Sequence, residues 1–199
     1  MSGMDYFEVF GLPRRLRIDT AELQRRFYDL SRRTHPDFHQ AAPAEEQARA
    51  LEASARLNAA YRALRDPIAR VDYLVRLEEG RETKEGAGVK PKAPPELLEE
   101  MFEIQEALQD AQAGGLDEGG RQALAAQREK LAARLVAIES TLAGPLSEAW
   151  DTAVAAERPR LITAFKDALA TRAYLRTVIE DLGAALGESQ DGHVANRRH

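Results

Sequence analysis

With 199 residues, 44% of them hydrophobic and 31% charged, the chain can bury a core, in one large domain or two small ones, and stay soluble. A formal charge of -5 argues against nucleic acid as a partner, and the lack of cysteine excludes disulfides, thiolate zinc sites and cysteine-ligated iron–sulfur clusters on this chain. No apolar run is long enough to span a bilayer, and the acidic start MSGMDYFEVF is not a secretory signal, so a cytoplasmic protein without a membrane partner is expected.

Alanine, leucine, glutamate and arginine dominate, and β-branched runs are scarce, which predicts an all-α fold. Asp5 to Phe10 form a short first helix, closed by Gly11 and Pro13. Asp19 caps the next helix, with Glu22 three residues on as the return half of a capping box. Leu23, Phe27 and Leu30 give that helix one apolar stripe. A third helix runs from about Ala44 to Leu64, with Leu57, Ala60, Tyr61 and Leu64 on one face. Pro67 ends it and starts a fourth, carrying Ile68, Val71, Leu74 and Leu77. The stretch GRETKEGAGVKPKAPP, Gly80 to Pro95, has no apolar period and reads as a linker.

Three long helices follow. Leu97, Met101, Ile104 and Leu108 line the first. After the loop Gly114–Gly120, Leu124, Leu131, Leu135, Ile138 and Leu142 line the second. Leu161, Phe165, Ala168, Leu175, Ile179, Leu182 and Leu186 line the third. Such faces make an antiparallel three-helix bundle over 96–187, after an N-terminal domain over 1–79 and a linker over 80–95. Gly144-Pro145 must kink or break the second helix, and LSEAWDTAV beyond it is helical. Residues 188–199 are polar and aperiodic, a disordered tail.

The second helix stops at His35-Pro36-Asp37. Pro36 disfavours helical angles at His35, so the helix ends there and displays His35 and Asp37 on an exposed loop. Between Arg14 and Arg33 seven arginines face only Asp19, Glu22 and Asp29, a local +4 in a chain of -5. Segregation of this kind steers an acidic partner, and a solvated helix face is the plainer reading. The loop itself admits three chemistries. His35, Asp37 and His39 are all metal-ligand types, but no further ligand is near. His35 and Asp37 could be an acid–base pair, but no nucleophile or phosphate-cradling loop accompanies them, so no enzyme is expected. The third is a protein-contact loop without metal or cofactor.

DYFEVFGL, a basic helix ending in HPD, and LNAAYRALRDPIARVDYL resemble, in this order and spacing, a J-domain over residues 4–77. That resemblance implies a helical hairpin with short flanking helices that binds a DnaK-type chaperone and accelerates its ATP hydrolysis. It places His35, Pro36 and Asp37 in the stimulating loop and Arg25, Arg26, Arg32 and Arg33 on the face meeting the ATPase. Phe38 stands where many J-domains carry lysine.

The bundle beginning APPELLEEMFEIQEAL resembles that of HscB-type co-chaperones, which deliver the iron–sulfur scaffold IscU to the chaperone HscA. At ~100° per residue, Leu98 and Phe102 lie off the core line of that helix, either buried against a second neighbour or forming an exposed ridge edged by carboxylates. The resemblance implies the ridge and a scaffold-binding patch of Leu98, Glu99, Phe102, Glu103 and Glu106. Tyr174 would join it as a surface contact, being one residue off the core line through Leu175. The expected function is a co-chaperone for iron–sulfur protein maturation, with a J-protein serving a different client as the alternative.

Overall fold

Asp5 accepts from the Glu8 amide while the Glu8 carboxylate accepts from the Asp5 amide, and this reciprocal cap opens α1, Tyr6–Val9. The helix closes in a Schellman motif: Gly11 N–H donates to the Glu8 carbonyl and Leu12 N–H to the Phe7 carbonyl. That closure needs a left-handed residue, and Gly11 supplies it with φ of +60°. In the computed structural model, residues 4–34, 42–80, 97–114 and 117–187 are described.

Helix α2, Thr20–Thr34, is capped by Asp19, whose carboxylate accepts from the Ala21 and Glu22 amides. The expected return bond from Glu22 is not made. Its carboxylate turns instead to Arg25 and Arg26, since two guanidinium groups outcompete one backbone amide. Helix α3, Ala44–Arg65, pairs with α2 through the Phe27 and Tyr61 rings, stacked at 4.1 Å. Helix α4, Pro67–Glu78, starts with Asp66 as cap and Pro67 in its first turn. Leu23, Leu57, Leu64, Val71 and Leu74 are buried, as their periodicity predicts.

Helix α5, Leu98–Gly114, and α6, Glu118–Thr141, are followed by a π turn, Leu142–Leu146. This turn carries Gly144-Pro145, and the helix does not break there but continues as α7, Ser147–Thr152. Pro145 has no amide to give, and the wider turn accommodates the loss. The buried Ser147 hydroxyl donates to the Leu142 carbonyl at 2.6 Å. Helix α8, Arg158–Ala185, is the last. Among the described residues no helix is long and apolar enough to cross a membrane.

The described residues of Met1–Glu85 and Ser140–Phe165 form one compact unit, and those of Gly86–Glu139 and Lys166–His199 another. Residues 140–165 thus differ from the expected grouping, which placed them in the bundle over 96–187. The π turn explains the difference. It slips the residues beyond it by one position, about 100°, so that Ser147 and Trp150 join Leu142 in being buried within the first unit, where the turn packs on α4. Phe165, also assigned to the bundle by its spacing, meets Trp150 edge-on at 6.3 Å. In the second unit, Leu97, Ile104, Leu124, Leu131, Leu175, Val178 and Leu182 share one core from α5, α6 and α8, including Leu97 just ahead of α5. Arg172 to Glu139, at 2.7 Å, ties α8 to α6. The linker over 81–95 and the tail over 188–199 lie outside the described residues.

Trp150 is the chain's one tryptophan and 2% exposed, so its emission reports on the first unit. Phe165→Ala is expected to destabilise that unit by about 3–5 kcal/mol. The measurement is urea unfolding followed by tryptophan fluorescence, where an unchanged midpoint would contradict the packing of Phe165 on Trp150.

Candidate functional site

The turn that delivers α2 is held on two sides. Asp151 of α7 accepts from the Leu16 amide at 2.8 Å and from the Arg17 amide at 2.9 Å. Arg70 of α4, almost fully buried, donates to the Leu16 carbonyl through Nη1 and to the Leu64 carbonyl through Nε at 2.6 Å. Burial pushes the Arg70 guanidinium down to about 10, opposed by the charges of Asp66 and Asp151, so it stays protonated at neutral pH.

The four arginines expected on the chaperone-facing side of α2 divide into two groups. Arg26 points inward: its Nη1 donates to the Phe10 and Gly11 carbonyls at 2.7 and 3.1 Å, and its Nε meets Glu22 at 2.7 Å. It therefore braces α2 against the end of α1. Arg25 is exposed and paired with Glu22, while Arg32 and Arg33 are exposed in the last turn, where the helix dipole favours cations. Among the described residues neither Arg32 nor Arg33 has an ion-pair partner. Exposed Tyr28 stands on the same helix and its hydroxyl accepts from Gln24 at 3.3 Å. The Arg26 hydrogen bond, with the charges of both arginines, holds the Glu22 carboxyl below the usual glutamate range. His35, Pro36, Asp37 and His39 lie outside the described residues.

On α5 the two apolar lines separate as the spacing suggests. Leu97 and Ile104 are buried, with Met101 and Leu108 packed against the core. Leu98 is 41% and Phe102 66% exposed, and Glu103 and Glu106 are exposed beside them. The side chain of Glu99 lies outside the described residues. The expectation of a surface Tyr174 is corrected: it is 7% exposed and belongs to the core of α5, α6 and α8. A helix packed on two neighbours buries a wide arc, and one residue off the core line is still inside it. The result is an apolar ridge with a carboxylate edge, suited to a protein partner. Among the described residues no group of three His, Asp or Glu could hold a metal ion.

Sequence reasoning missed Asp151 and Arg70. Both act on backbone groups, which leave no mark in the side-chain pattern, and 135 residues separate Asp151 from Leu16.

Residues 5–73 match the DnaJ domain family, and residues 93–160 match the family described as the HSCB C-terminal oligomerisation domain. The chain belongs to the HscB family of J-domain co-chaperones. Chaperone HscB from Vibrio cholerae is similar in fold, with a TM-score of 0.65 and 24% identity over 92% of this chain and 99% of that one. The human co-chaperone protein HscB has a TM-score of 0.62 and 25% identity over 92% of this chain and 83% of that one. Membership implies a partner of the seventy-kilodalton heat-shock chaperone class.

Two outcomes test the site geometry. Leu98→Ala with Phe102→Ala should change stability by no more than about 1 kcal/mol, whereas Tyr174→Ala should lose about 3 kcal/mol; thermal melts compare them. Glu22 takes up its proton at lower pH in the folded than in the unfolded chain. Its stabilising contribution is therefore present above the unfolded glutamate value and lost as pH falls through the depressed folded one. In a carbon-13 titration the Glu22 midpoint should lie below that of a free glutamate and rise in Arg26→Gln.

Proposed function

We propose that this chain stimulates ATP hydrolysis by a DnaK/HscA-type chaperone and delivers to it an IscU-type iron–sulfur scaffold, so promoting iron–sulfur protein maturation. The observation that carries the reading is the pair Leu98 and Phe102, left out of the α5 core beside Glu103 and Glu106, on the same chain as a J-domain. Large apolar side chains held in water on a rigid helix are the anchors from which protein interfaces draw most of their energy.

The basic face of α2 meets the chaperone. Arg25, Arg32 and Arg33 raise the encounter rate with an acidic surface, and Arg26 fixes the helix that carries them. His35, Pro36 and Asp37 form the stimulating loop. Asp37 competes for polar contacts that hold the chaperone in its resting state, so binding shifts the chaperone toward hydrolysis. The scaffold rests on Leu98, Phe102, Glu103 and Glu106, with Glu99 at the edge. Tyr174 supports that patch from within the core and does not touch the partner. The chain makes and breaks no bonds itself, and needs no cofactor, because joining two partners raises the effective concentration of each for the other.

Chaperone ATPase turnover, with and without this chain and each with and without scaffold, is the deciding measurement. Asp37→Asn or His35→Gln should abolish stimulation while the fold and scaffold affinity persist. Leu98→Ala with Phe102→Ala should weaken scaffold binding by about tenfold or more, leaving stimulation by the J-domain alone in place. Strong binding of other proteins with none of the scaffold would reassign the client.

A further inference from the structure

We propose that Asp151 is a positioning residue for α2, acting through the Leu16–Arg17 peptide. The inference rests on the reading that α2 faces the chaperone. Two consecutive amides converge on one carboxylate, 2.8 Å from Oδ1 and 2.9 Å from Oδ2, and the carbonyl of the same peptide unit is taken by Arg70. A peptide group bound at both its donor and its acceptor cannot rotate about its flanking bonds without losing a charge-assisted hydrogen bond. From Arg17 only Ile18 and the cap Asp19 intervene before α2. The first turn of α2 therefore takes its direction from this peptide, and the Phe27–Tyr61 stack fixes the helix further along. Arg25 lies between the two supports.

Asp151 sits in a segment that matches the C-terminal family domain, whereas the peptide it holds lies in the J-domain match. The J-domain of this chain thus receives one of its supports from outside its own family boundaries. Glu148, on the same short helix, pairs with the Arg17 side chain at 3.1 Å, but both groups are well exposed and contribute little. That difference makes Glu148 the control.

The test uses the full chain. Asp151→Asn keeps the side-chain shape, but its one carbonyl oxygen cannot serve both amides in the same geometry. Hydrogen exchange at Leu16 and Arg17 should accelerate about tenfold or more, and the acceleration should extend into Thr20–Leu23. At a temperature where the variant remains folded, the concentration giving half-maximal ATPase stimulation of a DnaK-type chaperone should rise about threefold or more. Maximal stimulation and scaffold affinity should be retained, a split that general loss of structure does not produce. Asp151→Glu should recover part of the effect by restoring the carboxylate, and Glu148→Gln should change neither readout.

Faster exchange confined to Leu16 and Arg17 with an unchanged half-maximal concentration would reduce Asp151 to a local brace and overturn the proposal. Equal effects of Glu148→Gln would do the same by assigning them to charge alone. If the wild-type chain stimulates no chaperone, the functional reading falls, and exchange across Thr20–Leu23 still decides whether Asp151 positions the helix.

Discussion

The peptide unit joining Leu16 to Arg17 is where three distant parts of the chain are committed to one arrangement. Its carbonyl belongs to Arg70, and its amide belongs to Asp151. Arg70 is a charge drawn from water, and the half-buried Asp151 carboxylate and the peptide dipole between them help to compensate it. Removing either side would leave the opposite charge facing an unmatched group. The fold of the first unit is therefore built around a polar clamp as well as an apolar core, and α2 takes its starting direction from that clamp.

Around this point the two proposed binding surfaces follow one rule. Each helix spends one side on its neighbours and leaves the rest for partners. On α2 the rule is obeyed by charge: Arg26 is used inwardly to brace the α1 turn, which leaves Arg25, Arg32 and Arg33 outward. On α5 it is obeyed by apolar groups: Leu97 and Ile104 are consumed by the core, and Leu98 and Phe102 remain. A basic surface is suited to attraction at a distance and an apolar one to holding at contact, which is the division of labour the proposed function asks for.

Much of this was legible in the sequence because it is local. Asp5, Asp19 and Pro67 mark helix starts that the structure reproduces, and the stripes through Leu23, Leu57, Leu64 and Leu74 are buried as their spacing requires. The same angular reasoning sets Leu98 and Phe102 off the core line but leaves burial or a ridge open; the resemblance implies the ridge, and both side chains are exposed. Periodicity says which side chains leave water, however, and not whose company they keep. Leu142, Trp150 and Phe165 were recognisable as apolar but not as members of the first unit. Tyr174 was misplaced because angular distance from a core line does not measure how wide an arc two neighbouring helices cover. Glu22 was misplaced because a cap and an ion pair compete for one carboxylate, and sequence spacing does not rank them.

The π turn at Gly144-Pro145 has a bearing on how the molecule is made. The helix before it supplies side chains to one core, and the helix after it supplies them to the other. A chain emerging from the ribosome from its N-terminus would normally close its first globule early. Here that globule lacks Trp150 and Phe165 until four-fifths of the polypeptide has been translated, so its completion must wait on late synthesis.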